Sequence, residues 1–377
     1  MKTIYLSFFL LIFYSRVVAQ SRAENFEKLF TYLSAENNFN GSVLVADSGK
    51  VIFSKSYGFS NFETKDLLNE NSMFDLASVS KQFTAAGILL LMQEKKLSLN
   101  DSLNVYFPEL PYKVTIKNLL NHTSGIPDYM KLFNDHWDKS KIAFNKDVIF
   151  LLSQHKPVEL FNAGDKYEYS NTGYVLLASV IEKISGISYA SFLQKSIFEP
   201  LEMHRTRVYN TRRSVNENIP NYAYGYLLDR ETKKAFLPDS LRQTSFVIYL
   251  DGIAGDGTVN STVYDLFRWD RALYTNKLLN DSTLKEMYSP FKLNDNTLSY
   301  YGYGWELEFG DKSTGNYVYH SGSWPGYGAY INRFIQRGKT IIVLRNLTNQ
   351  NRVEDIPMAY IDILFNKPFK LPLIKKP

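Results

Sequence analysis

Strand patterns sit at the two ends of this 377-residue chain, and helical patterns fill the stretch between them. Near the start, Gly41 to Ala46 and Val51 to Tyr57 read as strands flanking Asp47-Ser48-Gly49, a hairpin signal. Near the end the strand pattern returns at Tyr303–Phe309, Tyr317–His320, Tyr327–Ile335 and Thr340–Arg345, with Gln336-Arg337-Gly338-Lys339 as the last hairpin turn. The clear helices between are Phe83–Lys95, Asp147–Gln154, Thr172–Ile184 (ended by Gly186) and Ser188–Phe198. A first helix over Ala23 to Ala35 and a closing one from Asp355 to Phe365 bracket the whole. This order predicts an α+β fold: one antiparallel sheet built from both chain ends with flanking helices, plus an inserted, mainly helical lobe. The expected α/β lobe covers about residues 20–80 and 245–368, and the helical lobe about 81–244, in one two-lobed domain over 20–368. Residues 369–377 are expected to form a C-terminal tail.

The first nineteen residues read differently. Met1-Lys2, an apolar stretch from Ile4 to Tyr14 and a small residue at Ala19 have the layout of a secretory signal over residues 1–19. That apolar stretch falls short of the roughly 20 residues a membrane span needs. The expectation is an exported, periplasmic or secreted protein with no stable membrane span after cleavage, the alternative being an uncleaved anchor. Export without a single cysteine excludes disulfides and a cysteine nucleophile, so stability must come from the core. At 45% hydrophobic, the chain has the material for one. Its basic residues are dispersed, which speaks against a nucleic-acid partner. His136, His155 and His204 show no metal-ligand spacing, and no cofactor is expected. The expected partner is a small-molecule or peptide substrate; the sequence leaves the oligomeric state open.

Chemistry is concentrated at three places. Ser78-Val79-Ser80-Lys81 opens the apolar helical run from Phe83 to Met92. A serine and a lysine three apart on a helix share a face, with Cβ atoms about 5–6 Å apart. A neutral amine there can take the hydroxyl proton and activate an otherwise poor nucleophile. The same spacing recurs at Ser153/Lys156, Ser282/Lys285 and Ser289/Lys292. In those places it reads as a helix end before Pro157, part of a helix N-cap after Asn280-Asp281, and a turn before Pro290. The second place is Tyr169-Ser170-Asn171, between a loop and an apolar helix, where a phenol and an amide can relay a proton and bind a substrate amide. Taken alone, it reads more simply as Asn171 capping the helix with Tyr169 packed below. The third is His320-Ser321-Gly322-Ser323, at the end of a strand. Gly322 permits close backbone approach by a ligand. The Ser323 N–H can then join that of Ser78 in holding an oxyanion. Alone, His320 reads as a packed histidine.

In order and spacing, Ser78-X-X-Lys81, Tyr169-X-Asn171 and His320-X-Gly322 resemble the serine β-lactamase and penicillin-binding-protein superfamily. The likeness is closest to the branch of class C β-lactamases, D-Ala-D-Ala carboxypeptidases, D-aminopeptidases and esterases. Leu119 to Pro127 and Gly255-Asp256-Gly257 to Leu266 add to it, over roughly residues 23 to 366. The resemblance implies a β-lactamase/transpeptidase-like fold and a serine hydrolase. Its catalytic residues would be Ser78 (nucleophile), Lys81 and Tyr169 (proton transfer) and His320. Asn171, Ser321, Gly322 and Ser323 would bind substrate, and Ile126 to Tyr129 would line the cleft. Class C β-lactamases carry lysine where this chain has His320, and a histidine grips a carboxylate less well at pH 7. Hydrolysis of D-amino-acid peptides or small esters is therefore the leading expectation. A true β-lactamase and a slowly acylating receptor remain open alternatives. His122 is expected to be a hydrogen-bonded structural residue.

Overall fold

The structure, a computed structural model, describes residues 21–208, 219–350, 352–353 and 356–375; the expected signal segment lies outside them. Six strands form the main sheet: β1 (Gly41–Asp47), β2 (Lys50–Tyr57), β3 (Glu306–Glu308), β4 (Tyr317–Trp324), β5 (Tyr327–Phe334) and β6 (Lys339–Arg345). Their order is β3-β4-β5-β6-β1-β2, antiparallel throughout. The two chain ends meet at the β1–β6 pair, where Gly41 faces Arg345 and Asp47 faces Lys339. The sheet from both termini is as the sequence implies.

Period-two alternation feeds two cores. Val43, Val45, Ile341 and Val343 pack on one face under helices α1 (residues 21–35) and α5 (Ile356–Leu364), with Phe26, Phe30, Tyr360 and Leu364. Leu44, Ala46, Ile342 and Leu344 face the other way, into the core shared with the helical lobe. There α2 (Lys81–Gln93) runs through the centre, buried from Lys81 to Leu89, against α3 (Asn171–Ser185). Helix α4 (Val263–Ala272) is pinned to the sheet by Asp270 and Arg333, both fully buried. Asp270 also accepts from Thr340 Oγ1 at 2.9 Å, which helps offset the desolvation of this buried pair.

Two departures from the sequence reading matter for the site. The strand expected to stop at His320 continues to Trp324, because every residue from Val318 to Trp324 is paired with β5. The strand expected over Tyr303–Phe309 shrinks to Glu306–Glu308, and Gly304, at φ 76°, turns the chain before it. That turn sends Tyr301 and Tyr303 into the core rather than along a strand.

Candidate active site

Ser78 sits in a short 3₁₀ turn, Ala77–Ser80, that runs straight into α2. Three residues per turn eclipses positions i and i+3, so this turn stacks Ser78 directly under Lys81. Ala77 precedes the serine at φ 46°, a strained value for a residue with a side chain. Its N–H donates to Asp75 Oδ1 at 2.7 Å, which holds the bend in place. Ser78 is left half-buried between fully buried neighbours, at the wall of a cleft of about 510 Å³.

Lys81 is fully buried, and its amine has three contacts. Nζ lies 3.1 Å from Ser78 Oγ, 2.9 Å from Asn171 Oδ1 and 2.8 Å from the carbonyl oxygen of Asp256. The last two can only accept. They occupy two N–H groups of the amine and aim its third position at the serine, where a neutral amine carries its lone pair. Asn171 is held at its other end by Asp128, whose Oδ2 accepts from both its Nδ2 (3.0 Å) and its backbone N–H (3.1 Å). Asn171 is therefore not the helix cap that its position suggests. Asp128 receives the first N–H of α3 instead, and one Nδ2 hydrogen of Asn171 is left for the cleft.

Tyr169, 36% exposed, lays its ring 4.9 Å from Lys81 Nζ and 4.2 Å from the ring of His122. His122 is buried, and its Nδ1 accepts from the N–H of Ser170, the residue between Tyr169 and Asn171. It thus supports the second motif from behind, in the structural role expected of it. The segment Ile126 to Tyr129 does reach the cleft, through Tyr129.

His320 stands one layer deeper than its place in the motif suggests. It is 1% exposed, its Nδ1–H donates to the Ser321 carbonyl at 2.7 Å, and its Nε2 accepts from Tyr301 OH at 2.8 Å. Burial, and then the charge of Lys81, pushes its pKa down to about 3. It is neutral across the ordinary pH range and its ring nitrogens are occupied. The weaker grip on a carboxylate expected of a histidine here thus has no charged imidazole behind it. Gly322 turns its Cα onto the turn that carries Ser78: a Cβ there would lie 2.2 Å from the Leu76 carbonyl and 3.1 Å from Ser78 N. Only glycine lets β4 approach the serine amide so closely. Ser321 and Ser323 point from the opposite face of the strand and are exposed.

The other three Ser/Lys pairs lack this setting. The hydroxyls of Ser153, Ser282 and Ser289 are exposed and donate to Phe150 O, Asn280 Oδ1 and Lys285 O respectively. Asp256 is a site residue whose role the sequence did not reveal. Its carboxyl is buried beside Lys81, accepts from Tyr129 OH at 3.1 Å, and is raised to about 6, with burial the largest cause. Only its place in a family-like stretch marked it. Among the described residues, no cluster of side chains suits a metal ion.

These buried groups set an acid-side stability slope. Below about pH 6.5 the unfolded chain protonates His122 and His320, whereas burial holds both well below that in the folded state. Stability from this source is complete above that pH and is lost as pH falls toward 3. Asp256 acts oppositely, since the folded state keeps its proton up to about pH 6. Two unfolded-state protons less one folded-state proton leave about one, or ~1.4 kcal/mol per pH unit near pH 5.5. Urea midpoints should therefore fall between pH 6.5 and 5, and His320→Gln should flatten the trend. A flat wild-type curve would mean that the histidines are charged in the folded protein.

Comparison with known proteins agrees with this architecture. The Beta-lactamase family model matches residues 26–363. Penicillin-binding protein 4* of Bacillus subtilis is 44% identical over 355 residues, covering 94% of this chain and 78% of that protein. A penicillin-binding protein from Bacillus halodurans superposes with TM-score 0.73 at 25% identity, over 89% of this chain and 97% of that one. The D-amino acid amidase of Ochrobactrum anthropi complexed with D-phenylalanine gives 0.67 at 25%, over 88% and 91%. With the Ser78 hydroxyl, the Lys81 amine and the Asn171 amide joined in one network on that fold, the chain belongs to the β-lactamase family and is a serine hydrolase.

Proposed function

We propose that this protein is an exported hydrolase that cleaves amide or ester bonds of D-amino-acid peptides or small esters through an acyl-enzyme on Ser78. The observation that carries the reading is the three-way contact of Lys81 Nζ. Ser78 Oγ attacks the substrate carbonyl carbon while its proton passes to Lys81, whose other two positions are already taken by fixed acceptors. The oxygen that becomes negative is held by the N–H groups of Ser78 and Ser323, a pairing favoured by the close approach of Gly322. Tyr169, packed against the amine, passes the proton to the leaving nitrogen or oxygen as its bond to carbon breaks. Water then repeats the sequence in reverse and frees Ser78. The remaining N–H of Asn171 faces the acyl side, where Trp324 and Phe246 form an aromatic wall at a centroid distance of 5.2 Å. His320 acts as a positioning residue that braces the strand behind this machinery.

A D-residue preference accords with the neighbour described as a D-amino acid amidase. The test is turnover of N-acetyl-D-Ala-D-Ala, its L,L counterpart, p-nitrophenyl acetate and nitrocefin by the purified protein. The expected result is hydrolysis of the D,D peptide or the ester, with D,D favoured over L,L by about tenfold or more, the scale of one well-placed contact. Nitrocefin turned over faster than both would put a β-lactamase in place of this reading. Acylation without turnover of any substrate would put a receptor there.

A further inference from the structure

A carboxamide is nearly symmetric in shape but opposite in hydrogen-bonding sense at its two ends, so its partners decide which end faces which. For Asn171 that direction bears on the reaction. With Oδ1 on Lys81, as the structure has it, the amine spends one N–H on the amide at 2.9 Å. With Nδ2 there instead, the amide would donate to the lone pair of the neutral amine, the pair that has to take the Ser78 proton. One direction leaves the base free and the other blocks it. In its neutral, reactive form Lys81 does not choose between them, because such an amine both donates and accepts.

Asp128 does choose. A carboxylate only accepts, and Asp128 Oδ2 takes an Nδ2 hydrogen of Asn171 at 3.0 Å together with the backbone N–H of the same residue at 3.1 Å. Its Oδ1 accepts from the Met130 N–H at 3.0 Å, where Asp128 caps the helix Tyr129–His136. Both oxygens are therefore engaged, and the end of the amide that faces them has to be the donor. Oδ1 is left for Lys81.

The backbone that carries Asp128 is fastened to the start of α3 by other groups. The Tyr129 N–H donates to Thr172 Oγ1 at 2.8 Å, and the Thr172 hydroxyl donates to the Pro127 carbonyl at 2.8 Å. The Ser170 hydroxyl donates to the Ile126 carbonyl at 3.1 Å. Thr172 and Ser170 are buried, so these bonds hold residues 126–129 against 170–172 without the amide. The hydroxyls fix the segments. What the carboxylate adds is the direction of the amide.

We propose that Asp128 is a positioning residue that locks the Asn171 amide with its oxygen on Lys81, which keeps the lone pair of the amine on Ser78 and an Nδ2 hydrogen toward the acyl side of the cleft. The inference rests on the acyl-enzyme reading above. Asp128 does not line the main cleft and acts through Asn171. Asparagine at position 128 keeps the shape of the side chain but can turn an NH₂ group toward Asn171. The amide is then free to reverse, with Nδ2 on the amine and no donor for a substrate amide.

The test compares Asp128→Asn with Thr172→Val in stopped-flow acylation by p-nitrophenyl acetate and by the p-nitrophenyl ester of N-acetyl-D-alanine, which carries an acylamide. Asp128→Asn should slow the limiting rate with the acetate by about 10–100-fold, the scale of one hydrogen bond to a charged group, at a little-changed half-saturating concentration. Its preference for the acylamide ester should shrink as well. Thr172→Val breaks two bonds of the same junction but leaves the carboxylate on the amide, so it should acylate within about threefold of wild type. Melting temperatures certify the fold of each variant, and Ser170→Ala replaces Thr172→Val if that protein is unstable. A loss of less than about tenfold in Asp128→Asn, an unchanged acylamide preference in it, or an equal loss in the hydroxyl variant overturns the proposal. Failure of the acyl-enzyme reading has a separate signature, the absence of fluorophosphonate label on Ser78 in the unmodified protein.

Discussion

Ser78→Ala removes turnover, with an expected loss in kcat on the order of 10⁴–10⁶. The alanine keeps the 3₁₀ turn and the stack on α2 but has no oxygen to form the acyl bond. The surrounding cleft, with its backbone donors and aromatic wall, still binds substrate, so affinity should change far less than kcat. Intact-mass spectrometry with peptide mapping checks this: a fluorophosphonate or penicillin should add one label to the wild type, at Ser78, and none to the variant. Label on Ser153, Ser282 or Ser289, or undiminished activity in Ser78→Ala, would remove Ser78 from the role. The geometry opposes those alternatives, since each of the three hydroxyls is turned onto a local acceptor and away from any amine.

Lys81→Met should lower the acylation rate by about 10³–10⁴, the upper range for loss of a positioned proton acceptor. Methionine is one heavy atom shorter than lysine but keeps its unbranched apolar stem, so the buried start of α2 remains largely filled. What is lost is the amine, and with it the partner of Asn171 Oδ1 and of the Asp256 carbonyl. Each orphaned acceptor adds about 1–3 kcal/mol of instability, so the melting temperature should fall as well. Lys81→Arg separates charge from basicity, because a guanidinium stays protonated and cannot accept from Ser78. Stopped-flow acylation by a p-nitrophenyl ester should find it as impaired as Lys81→Met. A near-wild-type rate in Lys81→Arg would leave Tyr169 as the base.

The site was legible in the sequence to the extent that it is local. Ser78 and Lys81 are one turn apart, so their meeting follows from helical geometry wherever that turn lies. Tyr169 and Asn171 share a loop end, and Gly322 marks a close approach without saying to what. Asp256 shows the limit. Its carbonyl completes the Lys81 contact from 175 residues away, and no spacing predicts that. His320 shows another: the motif places it correctly on β4, but strand alternation turns its side chain inward, onto Tyr301, which a strand reading of Tyr303–Phe309 left out of account.

Alternation and periodicity record which face of an element is apolar, so the α+β class and the shared sheet of β1 and β6 were determined by the chain alone. Register, and the face each polar residue meets, were decided by the tertiary structure. Strand pairing carried β4 four residues past His320, and packing set Gly322 of that strand against the Ser78 amide and the Asp256 carbonyl against Lys81. Those contacts depend on how segments hundreds of residues apart fit together, and the energy that selects the fit belongs to the packed core as a whole rather than to any short stretch.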